Sequence, residues 1–318
     1  MGLPDQGKGQ IISDMAARVT RGLEWPCGEG VAPKGKVVVL SSEDNADTTI
    51  VPRLAAAGAD LTQVEIVGMV EKPVHTDRMF SLVTDLDLLG QKVLAIGDVK
   101  LILIDPLSAY LGGGVVNSFS TPEVRAVLSP MVALAAELKV AIVGIMHFNK
   151  KAEVDNVVLR VSDSLAFAAT ARAVFAAIDD PENKRKLFVR GKCNIAKSDI
   201  KALAYVFKTR EVGNDPDTGE VIEAPYINWF PQHVDISATE AMQAAGSKKP
   251  GALEEAKQFL QELLKNGPVL QTEVEAEARA NDVSVTTLRR AKKALQVDAR
   301  KDGPEGANGQ KSWRWHPP

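Results

Sequence analysis

Short apolar runs recur through the first half of the chain. They are "KVVVLSS" (36–42), "VEIVGM" (64–69), "LILID" (101–105) and "VAIVGIMH" (140–147). Each is β-branched, almost unbroken and bounded by polar residues or Gly, the pattern of a strand buried on both faces. Stretches near 8–21, 46–58, 78–96 and 122–138 lie between them and carry apolar residues at helical spacing. Alternation of this kind predicts an α/β fold, a mainly parallel sheet with helices on both faces. Beyond residue 185 the pattern shortens to "KLFVRGK", "ALAYVFKTR" and "EVIEAPYINWF", with the turn "NDPDTGE" between the last two. These predict an antiparallel extension of the same sheet.

Residues 236–251, "ISATEAMQAAGSKKPG", are rich in Ala, Ser and Gly and end in a basic Pro-Gly break, so they read as a linker. The expected division is a domain over 1–235 and a small one over 252–318. In the small one, "ALEEAKQFLQELLKNGP" is an amphipathic helix closed by Gly267-Pro268. "TEVEAEARAN" and "SVTTLRRAKKAL" are two more, the last with Ser284 as its N-cap. The tail from 298 reads as a two-stranded wing with a Gly-rich tip. This is a winged helix-turn-helix pattern. Val285, Leu288, Ala291 and Leu295 mark the inward face of the third helix. Thr286, Thr287, Arg289, Arg290, Lys292 and Lys293 remain for a DNA groove or its phosphates. From 286 onward there are eight Lys or Arg against three Asp or Glu, a concentration of positive charge that favours nucleic acid over a protein partner. Trp313 and Trp315, two apart, fall on one strand face.

Composition changes the picture little. Apolar residues make up 45% and charged residues 25% of 318, with a net charge of −3, which excludes a wholly basic nucleic-acid coat but not local patches. Cys27 and Cys193 have no metal-ligand spacing and read as free thiols. No apolar run approaches the ~20 residues of a membrane span, and no signal-peptide core opens the chain. A cytoplasmic protein is expected.

The opening decapeptide, "MGLPDQGKGQ", carries candidate chemistry. Gly2, Gly7 and Lys8 have the G-x-x-x-x-G-K spacing of a phosphate-binding loop, whose amides and lysine cradle a phosphate. Ile11, Ile12, Met15, Ala16 and Val19 give the next helix a face to pack on a sheet, and its N-terminus favours an anion. The spacing alone also fits a Gly-rich turn. Gly9 stands where a Ser or Thr hydroxyl would ligate Mg²⁺; one lost ligand weakens Mg²⁺ placement without abolishing it. No strand precedes the loop. The expectation is a truncated N-terminus or a start codon placed too late, which in-frame upstream codons for an apolar strand would support.

"LILIDP" ends a strand in Asp105, the shape of a Walker B aspartate that holds Mg²⁺. Glu43 and Asp44 follow "VVVLSS". A glutamate there is placed to orient and deprotonate an attacking water; Asp44 serves equally as the N-cap of the next helix. Loop and carboxylates together fall at the C-terminal strand edges, where such sheets bind ligands.

The order "GLPDQGKGQ", "LSSEDNADTTIVPRLAAAGAD", "LILIDPLSAYLGG", "GIMHFNK" resembles the RecA-like, RepA-type hexameric replicative helicases, AAA-family P-loop ATPases of plasmids, phages and integrated elements, over about residues 1–210. The resemblance implies ATP and Mg²⁺ as ligands, with Gly2, Pro4, Asp5, Gln6, Gly7, Lys8, Gly9 and Gln10 around the phosphates. It further implies Glu43 as the catalytic carboxylate, Asp105 as the Mg²⁺ ligand and His147 as a sensor of the γ-phosphate. Arg172, in "SLAFAATARAV", matches the arginine that such proteins insert into a neighbour's site, which implies a homo-oligomeric ring, a hexamer foremost. Lys192 falls at another basic position of the family. The function expected is a helicase-like, DNA-associated ATPase in replication of a mobile element. The alternative is a nucleotide- and DNA-binding initiator or regulator with little turnover. A loader for another helicase is a third reading, which the sequence does not separate from the first.

Overall fold

β1 (Lys36–Ser41) lies inside a parallel sheet of order β2-β1-β5-β6, with β2 (Val64–Val67), β5 (Val99–Asp105) and β6 (Ala141–Gly144). The structure is a computed structural model. It describes residues 1–70, 78–112, 114–149, 156–181, 183–196, 201–246, 250–265, 267–281, 283, 285–302 and 312–316. They form two units, Met1–Gly246 and Ser247–Pro318.

Strand alternation explains why the sheet is covered twice. Val38, Leu40, Ile102 and Ile104 face one core, shared with α3 (Leu86–Ile96) and α4 (Thr121–Leu138). Val37, Val39, Leu101 and Leu103 face the other, shared with α1 (Lys8–Arg21) and α2 (Val51–Ala57). This is the expected α/β arrangement. α2 is preceded by a π turn over Ala46–Ile50, capped by Asn45, whose side chain accepts from the amides of Asp47 and Thr48. The cap is therefore Asn45, not Asp44.

Two readings of the pattern need correction. Residues 78–96 are not one helix. Arg78–Met79 (β4) pairs with Met69–Val70 (β3), and α3 starts only at Leu86. Phe80 and Leu82 alternate into the core, and the Leu82 amide bonds to the Tyr110 carbonyl at 2.8 Å; this tertiary pairing overrides a helical spacing. The linker, too, is helical over Ala238–Gly246 (α6), with Ala241 and Met242 buried in the first unit.

The antiparallel half is β10-β9-β8-β7: β7 (Ala173–Asp180), β8 (Arg185–Cys193), β9 (Leu203–Asn214) and β10 (Val221–Trp229). β7 precedes the first strand expected there. α5 (Ala166–Thr170) leads into it. The two halves meet through the first two residues. Gly2 bridges in parallel to His147, just beyond β6, and to Ala177 of β7. The amides of Phe148 and Ala177 bond to the carbonyls of Gly2 and Met1 at 3.2 and 2.8 Å.

The second unit is built from α7 (Pro250–Leu264), β11 (Val269–Leu270), α8 (Gln271–Ala280), α9 (Val285–Ala294), β12 (Asp298–Arg300) and β13 (Arg314–His316). Its strands form a sheet of order β11-β13-β12. Leu260, Leu264, Val274, Leu288, Ala291 and Trp315 fill its core. Trp315 is buried and Trp313, one residue before β13, is half exposed. Ser284 and the Gly-rich tip, residues 303–311, lie outside the described residues. Among the described residues no helix is long and apolar enough to cross a membrane.

Candidate nucleotide site

The C-terminal ends of the parallel strands lie in one row. Ser41 is the register partner of Asp105, and the Ser42 amide bonds to the Asp105 carbonyl at 3.1 Å. Ile104 pairs with Gly144, and three residues on, His147 bridges to Gly2. Glu43, Asp105, His147 and the 2–9 loop therefore share one rim because the register places them there.

The loop is held from below. Gly2 is buried, and a Cβ there would meet the Ala177 carbonyl oxygen at 2.7 Å, so it is a close-approach glycine of the sheet. Pro4 and Asp5 form an exposed turn, with Asp5 at φ +60°. Gln6 is buried; its amide group donates to Asp179 at 2.8 Å and accepts from Lys186 at 3.2 Å. Its carbonyl accepts from the buried Tyr205 hydroxyl at 2.6 Å. Gly7, left-handed at φ +75°, turns the chain into α1, and its carbonyl takes the Ile11 amide at 2.9 Å. Gln10 lies half-buried in the first turn. The amides at a helix N-terminus have no intrahelical partner, and such an end favours an anion.

Lys8 donates to the Leu3 carbonyl at 2.7 Å. Burial lowers its pKa, opposed by the charges of Asp105, Glu43 and Asp5. Asp105 is pushed up to about 6, first by burial and then by Glu43 and Asp44, with Lys8 and Arg53 opposing. His147 is lowered by burial and by Lys8, against Glu43, whose carboxylate lies 3.9 Å from its Nε2. Lys8 and Glu43 thus act on both Asp105 and His147. Asp44, beside them, pairs with Arg53.

This donor set suits Mg²⁺, a hard cation that takes carboxylate oxygens and keeps much of its water. Burial, with the charges of Glu43 and Asp44, raises Asp105, and Lys8 and Arg53 oppose that rise. Among the described residues no three His, Cys, Asp or Glu converge closely enough to bind a metal by themselves.

Arg172 stands apart from the rim. Gly2 is in register with Ala177, and Arg172 precedes Ala177 by five residues. At ~3.3 Å per residue it sits about 16 Å toward the opposite sheet edge. It is exposed beside a 330 Å³ cavity lined by Ser129, Val132, Thr170 and Asn194. Lys192 donates to the carbonyls of Ala168, Ala169 and Ala171 at 2.8–3.0 Å, capping the end of α5. That bonding accounts for it structurally.

In the second unit, Arg289 and Lys293 are exposed on α9, and Thr287 is half-buried. The Lys292 ammonium lies 4.6 Å from the Trp315 ring centroid. Thr286 and Arg290 belong to the same helix.

Several residues of the site had no assigned role in the sequence: Tyr205, Phe207, Asp179 and Lys186 around the loop, and Arg53 beside Gly9. Only Arg53 carried a signal, standing in the "SSEDN…RL" stretch.

Residues 1–153 match a family described as AAA domain. No curated protein matches the chain. Among solved structures the chain is similar to a KaiC-like protein of the hyperthermophilic archaeon Pyrococcus horikoshii. Identity is 15%, coverage 70% of this chain and 87% of that one, and the TM-score 0.45. The AAA domain match and the geometry at the rim support a P-loop ATPase of the AAA type for the first half of the chain.

Proposed function

We propose that this protein is an ATP-hydrolysing motor that works on DNA, a RecA-like, helicase-type ring in the replication of a mobile or extrachromosomal element. The observation that carries the ATPase part is the shared rim, where Lys8 and Glu43 act electrostatically on both Asp105 and His147.

In this reading the Gly7–Gly9 amides and the end of α1 receive the β- and γ-phosphates, and Lys8 leaves the Leu3 carbonyl to meet them. Bound Mg²⁺, held by Asp105, supplies charge neutralisation of the phosphate oxygens. Glu43, more than half exposed, accepts the proton of the attacking water. His147, kept neutral near pH 7 by its lowered pKa, donates a hydrogen bond toward the γ-phosphate. Arg172, far from its own chain's loop, serves the site of a neighbouring copy. That role requires an oligomer, a hexameric ring in the RepA-type reading.

The second unit is proposed as a winged helix that brings Thr286, Thr287, Arg289, Arg290, Lys292 and Lys293 to DNA. Support comes from the helix order, the β11-β13-β12 sheet and the exposure of Arg289 and Lys293. A cytoplasmic location goes with such a partner. Gly9 favours a second reading, an initiator or regulator that binds nucleotide and DNA but turns over slowly.

ATP hydrolysis with and without single-stranded DNA decides between them. The motor reading expects DNA-stimulated turnover that falls at least 100-fold in Lys8→Ala and Glu43→Gln, as loss of electrostatic or acid–base groups does. ATP binding with unstimulated, near-background turnover supports the regulator. No ATP binding refutes both.

A further inference from the structure

His147 does not stand beyond its strand unaided. The chain returns beside it at residues 160–162. Phe148 bridges antiparallel to Val161, and the Ser162 amide bonds to the His147 carbonyl at 2.9 Å. The same stretch also meets the phosphate loop, since the Phe148 amide bonds to the Gly2 carbonyl at 3.2 Å. The backbone around His147 is therefore gripped by the loop and by the returning segment.

Arg160 sits in the middle of that grip. It is 6% exposed, and among the described residues it is the only Lys or Arg that is buried. Its Cζ lies over the Phe148 ring, 5.0 Å from the centroid, and its Nη2 donates to the Asn149 carbonyl at 3.2 Å. Asn149 returns the contact. Its backbone amide donates to the Arg160 carbonyl at 2.8 Å, and its side chain donates to the carbonyls of Leu159 and Val161 at 3.2 and 3.1 Å. The segment that presents Arg160 is itself anchored. Val157–Arg160 is a 3-10 turn capped by Asn156, and Val157 seats against Gly191 of β8, where a Cβ would lie 2.7 Å from its Cγ1.

Burying a guanidinium is costly unless it is well bonded, and this one stacks on and bonds to the two residues that follow His147. A planar fork can lie on a ring and donate from its edge at once, which a compact ammonium does less well. The charges that act on His147 come from Lys8, Glu43 and the N-terminal amine. Arg160 acts on the ring through the backbone instead.

We propose that Arg160 is a positioning residue of this site: clasped with Asn149, it holds residues 147–149 so that the His147 imidazole is aimed at the γ-phosphate. The inference rests on the ATP reading above and deepens it. Discrimination between ATP and ADP then depends on the arginine that holds the sensor as well as on the sensor.

The test uses the full chain and the fluorescent probes mant-ATP and mant-ADP, titrated in EDTA so that neither is hydrolysed. The quantity read is the preference for mant-ATP over mant-ADP. His147→Asn is expected to lower it about tenfold, the scale of a hydrogen bond to a charged group. Arg160→Met is expected to lower it by a similar factor while mant-ADP binding stays within twofold of wild type. Arg160→Lys, with the charge but not the fork, regains part of the preference. Asn149→Ala opens the clasp from its other side and lowers the preference too, so the test stands even if Arg160→Met does not fold, which melting temperatures reveal. In the double variant, Arg160→Met with His147→Asn, the second change costs nothing further.

The proposal is overturned if the folded Arg160 and Asn149 variants weaken both probes by the same factor, as a purely structural role would. It is equally overturned if the effects of Arg160→Met and His147→Asn multiply, or if His147→Asn leaves the preference unchanged. Wild-type protein that binds neither probe refutes the ATP reading itself, a result distinct from all of these.

Discussion

The hydroxyl of Tyr205, on β9, donates to the carbonyl of Gln6 at 2.6 Å, although 199 residues separate them. The antiparallel half of the sheet thereby clamps the phosphate loop at its bend. Tyr205 is fully buried, so Tyr205→Phe strands the Gln6 carbonyl without a partner. A lost buried partner costs about 1–3 kcal/mol. Urea denaturation is expected to register that loss. Nucleotide affinity should fall with it, because the loop is no longer held in its binding shape. Unchanged affinity in a destabilised variant would show that the clamp serves the fold alone.

Asp105 gives the metal-free protein a signature in acid. Its folded pKa is raised from the ordinary 3.8 to about 6. The sign follows from linkage. The folded state binds the proton more tightly than the unfolded state, so the stabilisation is full below pH ~4 and is lost as pH rises through ~6. Two pKa units correspond to at most about 3 kcal/mol. In EDTA, wild-type stability should therefore drop across this window relative to Asp105→Asn, measured by urea melts at pH 4 and pH 7. Parallel pH profiles would mean that the carboxylates are not crowded in solution.

The parallel half was legible because its strands are apolar on both faces and its helices keep a clear period. Glu43 and Asp105 were legible because each directly follows or ends such a strand. β7 was not, since "AVFAAIDD" is Ala-rich and adjoins a helical stretch with no turn residue between. The supports of the loop were invisible for a different reason. Gln6 meets Asp179, Lys186 and Tyr205 from 173 to 199 residues away, and only sheet register brings them together. The sequence showed that Gly9 lacked a hydroxyl but not that Arg53 stands beside it, since that depends on how α2 packs against α1.

Gly7 answers to two constraints at once. Its φ of +75° costs an L side chain about 1–2 kcal/mol. A Cβ would also meet the Phe207 ring at 2.4–2.5 Å. Gly7→Ala must therefore displace either the loop or the ring, and is expected to abolish mant-ATP binding while the protein stays folded by circular dichroism. Phe207→Ala opens the space. In the double variant it should restore part of the binding lost by Gly7→Ala. If it restores none, the backbone strain at Gly7 is the whole effect.

Arg172 lies about 16 Å along the strand direction from the register of its own loop, too far to meet a phosphate held there. If it acts, it acts on another copy. Lys8→Ala lacks a working loop but keeps Arg172, and Arg172→Ala has the reverse defect. Each alone is expected to be nearly inactive in ATP hydrolysis. Mixed in equal amounts and allowed to exchange subunits, they should form junctions in which an intact loop faces an intact arginine. Activity should then rise well above that of either variant, and fall again on dilution below the association concentration. A mixture no more active than the average of its parts, from chains that light scattering shows to be co-assembled, would remove Arg172 from catalysis. Its exposed guanidinium beside the Ser129–Asn194 cavity would then belong to a surface with some other use.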